Sequence, residues 1–219
     1  MRLILVGPPG SGKGTQAKLL SGRLQLAHIG TGDILREAVR LNTPLGLKAG
    51  PYILNGHLVP DGLVNDVVAE RFDRDDRPDR FVLDGYPRTL AQACSFDQVL
   101  GRNFLGLTAV ILFKVDDEEI VRRMTGRWSC PKCKQTYHLL NNPPKVSGIC
   151  DTCDGGLIQR SDDKEDIVRE RLRQYHENTA GLIEHYRGQG KLHEIAGVGT
   201  IDQIYAKLMT VLNQANPSC

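Results

Sequence analysis

The chain has 219 residues, of which 25% are charged, and its 28 Lys+Arg against 26 Asp+Glu leave a formal charge of +2. That balance excludes a disordered polyelectrolyte and argues against a dedicated non-specific nucleic-acid binder. A chain of this length buries roughly 70% of its unfolded surface, so one domain, or one with an insertion, needs no disulfide scaffold. No apolar run approaches the roughly 18 residues of a membrane span. The apolar start Leu3–Val6 breaks at once into Gly7-Pro-Pro-Gly10, too short for a secretory leader. A soluble cytoplasmic protein without membrane contact is the expectation.

Leu3–Val6 predicts a short buried parallel strand. It runs into Gly7-Pro-Pro-Gly10-Ser-Gly12-Lys13-Gly14-Thr15, after which Ala17, Leu20 and Leu24 recur at helical spacing. Strand, glycine-rich loop and helix in that order form a phosphate cradle. The glycines let several backbone N–H groups turn inward, and the helix N-terminus adds partial positive charge. Lys13 supplies a mobile ammonium for the outer phosphate oxygens. Gly10, Ser11, Gly12, Lys13, Gly14 and Thr15 are therefore candidate phosphate ligands. The common pattern has Ser or Thr directly after Lys as a magnesium ligand; here Gly14 intervenes.

Residues from Gly30 to about Val59 predict a helical insert without a buried strand, and Leu63–Phe72 a further helix. A second buried run, Phe81–Leu83, ends at Asp84-Gly85. A carboxylate there can hold magnesium, directly or through water, or can serve as a turn or helix cap. Ala109–Val115 predicts a third strand, ending at Asp116. Asp166–His185 reads as a helix, and Lys191–Ile195 as a weaker fourth strand. Strands alternating with helices predict a parallel α/β sheet, with ligands at the C-terminal strand ends. Gly7, Asp84 and Asp116 fall there. Residues 213–219 read as a frayed end.

Four of the six cysteines form Cys130-x2-Cys133-x16-Cys150-x2-Cys153; Cys94 and Cys219 stand alone. This spacing fits a structural four-cysteine zinc site, with two redox pairs as the alternative. Four protein ligands leave no open position for a substrate water, so the metal reads as structural. A segment of roughly 40 residues has too little core of its own, and a metal can replace it.

Arg36, Arg88, Arg123, Arg127, Arg160 and Arg171 recur near glycines and strand ends. They are either solvated surface charges or an array of rigid cationic forks suited to a transferring phosphoryl group. The six histidines (His28, His57, His138, His176, His185 and His193) are scattered and read as structural, and no convincing general base is present. An acceptor that is itself a phosphate monoester has a second pKa of about 6 and is already largely a dianion near neutral pH. Such a nucleophile needs alignment and charge neutralisation rather than deprotonation.

Taken together, the stretches 7–15, Thr-Gly-Asp-Ile-Leu-Arg (31–36), Asp-Gly-Tyr-Pro-Arg-Thr (84–89) with Gln92, Gly-Arg (126–127), Asn-Pro-Pro-Lys (142–145) and Arg-Ser-Asp-Asp (160–163) with Arg171 resemble the adenylate kinases, of the long bacterial type with a zinc-bearing lid. The resemblance implies an α/β P-loop three-layer fold with a mostly parallel central sheet. It divides the chain into a core (1–29, 60–125 and 164–219), a helical AMP-binding insert (30–59) and a small zinc-bearing lid subdomain (126–163).

The implied reaction is reversible transfer of the terminal phosphoryl of ATP to AMP, giving two ADP, with magnesium accompanying ATP. Gly10–Thr15, Arg127, Thr136, Tyr137 and Gly199 would hold ATP. Thr31, Arg36, His57, Leu58, Val59, Gly85, Arg88, Gln92, Arg160 and Arg171 would hold AMP. Lys13, Arg88, Arg123, Arg127, Arg160 and Arg171 would surround the transferred group, and Asp84 would organise magnesium through its waters. Cys130, Cys133, Cys150 and Cys153 would hold zinc, and Asp163 would lie at a hinge. The lid would close over ATP and exclude water, with Trp128 reporting the motion.

By the residues alone, Tyr137 is also readable as a lid-core ring, Thr31 and Gln92 as caps or solvated polar residues, and Asp162–Glu165 as a capping-box start to the helix carrying Arg171. Gly30 stands where the family often has Ser, which loosens the start of the following helix. Asn141 stands where Phe is expected, which thins lid packing. A monomer is expected, with no nucleic-acid partner. Two rivals are a nucleoside monophosphate kinase of other base preference and a zinc-ribbon nucleic-acid binder. The lid lacks the aromatic–basic interleaving the second would need.

Overall fold

The computed structural model describes residues 1–140 and 142–215; Asn141 and Cys219 lie outside them. The chain runs β1 (Arg2–Val6), α1 (Lys13–Leu24), β2 (Ala27–Gly30), α2 (Thr31–Arg40), α3 (Pro44–Leu54), α4 (Asp61–Asp73), β3 (Phe81–Asp84) and α5 (Leu90–Arg102). It continues through β4 (Ala109–Lys114), α6 (Asp117–Thr125), β5 (Arg127–Ser129), β6 (Thr136–His138), a 3-10 turn (Ser161–Asp163), α7 (Glu165–Gly188), β7 (Leu192–Ala196) and α8 (Ile201–Ala215).

Five strands form one parallel sheet in the order β2-β3-β1-β4-β7. Successive strand residues point to opposite faces, and both faces are covered. Leu3 and Leu5 pack with Ala17 and Leu20 of α1 and with Ile204, Leu208 and Leu212 of α8. Ile4 and Val6 pack with Phe72 of α4, Phe96 of α5, and Leu182 and Tyr186 of α7. This two-sided burial is why β1 reads as an unbroken apolar run. Phe72, Phe81, Phe96 and Tyr86 meet edge to face, with ring centroids 5.0 to 6.1 Å apart.

β2, which the apolar pattern did not predict, is an edge strand with only Ile29 buried. The insert is helical as expected: α2 and α3 pack closely enough that a side chain on Gly46 would collide with the Ala38 carbonyl. Thr43 caps α3 by accepting from Gly46 N at 3.1 Å. Gly30 precedes α2 and offers no side-chain cap. Three readings are corrected. Asp116 caps α6, accepting from Glu118 N at 3.0 Å, and stands apart from the cleft lining. The capping box at Asp162–Glu165 does not form: Lys164 precedes α7 without a side-chain cap, because both aspartates turn toward arginines. Residues Asn213–Ala215 continue α8 rather than fray. Among the described residues, no helix is long and apolar enough to cross a membrane.

Between α6 and α7 the chain leaves the sheet. β5 and β6 form a small antiparallel hairpin, and among the described residues Cys130, Tyr137, Cys150 and Leu157 are the buried members of its cluster. Four side chains are too small a core to hold a subdomain by burial alone.

Candidate functional site

A cleft of about 1040 Å³ opens at the C-terminal ends of β1, β2 and β3, large against the roughly 300–1,000 Å³ of an ordinary single-ligand pocket. Its floor is the loop between β1 and α1. Gly12, with φ 93°, precedes α1 and offers no side-chain cap, so the helix's first amides are left for a ligand. Lys13 Nζ donates to the carbonyls of Gly7 and Pro8, both at 2.7 Å, and to Ser11 Oγ at 3.2 Å. Burial pushes its pKa down to about 8; Asp84 opposes the fall, and Arg88, Arg171 and Arg127 add to it. Ser11 is fully buried and does not line the cleft; Gly10, Gly12, Gly14 and Thr15 do.

Gly14 has a steric reason. A Cβ there would lie 3.0 Å from Asp84 Oδ2, so the missing side chain makes room for the carboxylate at the end of β3. The hydroxyl that usually follows Lys is thus replaced across the cleft by a carboxylate, a hard oxygen donor of the type magnesium prefers.

Arginines from five parts of the chain converge above this floor. Arg88 donates Nε to Gly85 O at 2.7 Å and, among the described residues, pairs with no carboxylate. Burial first, then Arg36, lowers its pKa. The Arg160 guanidinium makes no hydrogen bond among the described residues; burial, then Arg36 and Arg127, take it down to about 10. Arg171 Nη1 donates to Asp162 O at 3.0 Å and to its Oδ2 at 2.8 Å, yet burial still brings it to about 10. Arg127 donates Nε to Asp163 Oδ2 at 2.8 Å and a second nitrogen to Oδ1. Burial works against the Arg127 charge, but the bonds to Asp163 outweigh it and raise its pKa. Arg36 bonds Asp33 Oδ1 at 2.8 Å. Arg123 bonds Glu119 at 2.7 Å and Gly197 O at 2.9 Å.

On the insert side, Thr31, Arg36, His57, Leu58, Val59, Gly85, Arg88 and Gln92 all line the cleft. Thr31 Oγ1 donates to Gly85 O at 2.9 Å. Gln92 is a fixture of the loop: its Oε1 accepts from Arg88 N at 2.8 Å and its Nε2 donates to Asp61 Oδ1 at 2.7 Å. On the lid side, Thr136, Tyr137 and Gly199 also reach the lining. The Tyr137 ring is nonetheless a lid-core ring, its hydroxyl accepting from Asp151 N at 2.8 Å.

Sequence reading missed the carboxylates that hold the arginines: Asp33, Glu119, Asp162 and Asp163. It also missed His28, which lines the cleft with a buried Nε2 that has no hydrogen-bond partner among the described residues. The adjacency of Arg160 to Asp162-Asp163 was the available signal for two of them.

The four lid cysteines bring their sulfurs within 4.8 Å of one another. A tetrahedral ion with metal–sulfur bonds of about 2.3 Å sets its sulfurs about 3.8 Å apart; Cys130 and Cys153 lie at 3.5 Å and Cys133 and Cys150 at 3.4 Å. The two segments repeat one turn: Lys134 N donates to Cys130 O at 3.0 Å and Asp154 N to Cys150 O at 2.9 Å, with φ of 62° and 55° at the donors. The Tyr137 hydroxyl, 3.5 Å away, holds the Cys150 thiol down to about 6. One convergent group of four, rather than two separate pairs, could hold a metal ion.

A family profile described as adenylate kinase matches residues 5–191. An adenylate kinase of Geotalea uraniireducens is 48% identical over 212 residues, covering 97% of this chain and 98% of its own length. Adenylate kinases of Clostridium botulinum and Lachnospira eligens are each 46% identical, over 214 and 212 residues; they cover 98% and 97% of this chain and 99% and 100% of their own.

Proposed function

The chain belongs to the adenylate kinase family, and from that premise we propose how its cleft divides the work. The protein transfers the terminal phosphoryl of ATP to AMP reversibly, giving two ADP. Gly10–Thr15, with Lys13, cradle the ATP phosphates on the amides of α1. Arg127, Thr136, Tyr137 and Gly199 frame the rest of ATP. AMP lies under the insert against Thr31, Arg36, the 57–59 backbone and Gly85. Gln92 acts there by fixing the loop that carries Arg88. Arg88, Arg123, Arg127, Arg160 and Arg171 surround the transferred group.

No base is required. The AMP phosphate arrives as a dianion near neutral pH, so its oxygen can attack once aligned. The guanidiniums neutralise charge on the two approaching anions and on the equatorial oxygens in flight. Asp84 would hold, through water, the magnesium that accompanies ATP, and that ion would supply further charge neutralisation. The carboxylate that fills the space left by Gly14 supports that assignment. The lid (126–163), the insert (30–59) and the core (1–29, 60–125, 164–219) act as three parts. Lid closure brings Arg127 and Arg160 inward and shuts out water that would otherwise accept the phosphoryl group. Cys130, Cys133, Cys150 and Cys153 would hold zinc, which would serve as the lid's missing core. We take the protein to act as a monomer in the cytoplasm; its most exposed apolar side chains, Phe104, Leu140 and Leu47, lie on separate segments.

The observation that carries this reading is the pair Arg88 and Arg160, lowered by burial and by neighbouring cations, facing the cleft without ion-paired carboxylates among the described residues. An anion is the missing group. The test is ADP formation from ATP with each nucleoside monophosphate in turn, with and without magnesium. AMP should be turned over, Lys13→Ala and Arg88→Ala should each lower turnover by orders of magnitude, and replacing any single His should cost little. Folded protein that makes no ADP from ATP and AMP would end the proposal. A His variant that binds and folds yet is dead would end the dianion argument.

A further inference from the structure

The first knuckle of the lid touches two other parts of the molecule through a single residue. Lys134 follows Cys133 in the left-handed turn that closes the knuckle, with φ 62°, its N–H held by Cys130 O at 3.0 Å. Its Nζ donates to Glu37 Oε2 at 3.1 Å, on α2 of the insert and 97 residues away in sequence. Its carbonyl accepts from Lys18 Nζ at 2.7 Å, on α1 of the core. Neither Glu37 nor Lys134 has a part in the nucleotide contacts assigned above.

We propose that Lys134 is a docking pin that couples closure of the lid to closure of the insert, so that Glu37 and Lys134 are positioning residues for the two-nucleotide reaction. The inference rests on the reading that ATP and AMP occupy the two sides of the cleft. A contact that exists only when both lids of the cleft are shut is a coupling free energy between the two binding sites, and it is reciprocal. Each nucleotide raises the affinity of the other by the same factor. The pin is rigid where it must be, since the bond from its N–H to Cys130 O fixes the backbone at Lys134. Glu37 stays ionised throughout the working range: hydrogen bonds from Arg40 and then Lys134 hold its carboxyl down to about 2. The side chains of the pair remain 37% and 40% exposed, so the clasp is weak and sensitive to salt, as a contact broken in every turnover has to be.

The experiment is calorimetric titration of AMP into the full-length, metal-loaded protein, alone and with saturating β,γ-imido-ATP. Wild type is compared with Glu37→Gln, Lys134→Met and the double variant. The ratio of the two AMP dissociation constants should shrink by about two- to fivefold in each single variant, the scale of an exposed ion pair. It should shrink no further in the double variant, and high salt should shrink it more in wild type than in the variants. Metal content and AMP affinity without the analogue should stay unchanged in Glu37→Gln, which lies on another segment from the knuckle. An unchanged ratio in Glu37→Gln, or additive losses in the double variant, overturns the inference alone. Failure of wild type to bind AMP or the analogue overturns the two-nucleotide reading and the inference with it.

Discussion

Replacing Asp163 with Ala should destabilise the protein by about 3 kcal/mol. Asp163 is fully buried, accepts from Arg127 Nε at 2.8 Å and from a second Arg127 nitrogen, and lies 3.9 Å from Arg171 Nη1. Removing one partner of a buried ion pair costs about 3–5 kcal/mol, mostly because the other charge is stranded. The Arg127 side chain is 20% exposed, toward the cleft, so water can reach part of it and the low end applies. For a chain of this size, about 3 kcal/mol corresponds to a fall of about 6–12 °C in the unfolding midpoint. Thermal and urea unfolding of wild type, Asp163→Ala, Arg127→Met and the double variant would measure it. If the stranded guanidinium is the cause, the double variant is more stable than Asp163→Ala. A loss below about 1 kcal/mol in the single variant, or a double variant no better than the single, refutes the reasoning.

One equivalent of zinc should be found per chain, and chelation should melt the lid before the core. A metal-free protein of undiminished thermal stability would contradict this. Lys13, lowered to about 8 from an ordinary 10.5, binds fewer protons in the empty fold than in the unfolded chain between those values. Its charge therefore costs stability below pH 8, and that cost is relieved as pH rises toward 10.5. Phosphates in the loop restore the higher pKa, so ATP binding at pH 9 should take up about 0.9 proton. Calorimetry in buffers of different ionisation enthalpy reads this number, and uptake near zero refutes it. Trp128, the only Trp, packs against the lid cluster beside Arg127. Its fluorescence should change on titration with a bisubstrate dinucleotide, and a constant spectrum despite binding would count against lid closure.

How much of this was legible beforehand follows from what each residue meets. Strands β1, β3 and β4 were readable because burial on both faces leaves an apolar run. The edge strands β2 and β7 bury one residue each; β7 still left a weaker signal in Leu192 and Ile195, and β2 left none. The three-residue strands of the lid were hidden in the same way. The phosphate loop, the cysteine set and the arginines are written in spacing and residue type. Their partners are not: Arg127 and Asp163 are 36 residues apart, and only the fold decides that Asp163 answers Arg127 instead of capping α7. The reason for Gly14 was likewise invisible until β3 placed Asp84 against it.

The cations that crowd the cleft come from the insert, the β3–α5 loop, α6, both borders of the lid and α7. Each of Arg88, Arg160 and Arg171 is lowered in part by the others around it. Like charges held this close push their carriers apart whenever the phosphates are gone. In the proposed cycle the empty shut form would be a loaded spring with the nucleotides as its catch, and departure of the products would supply the force that reopens the mouth.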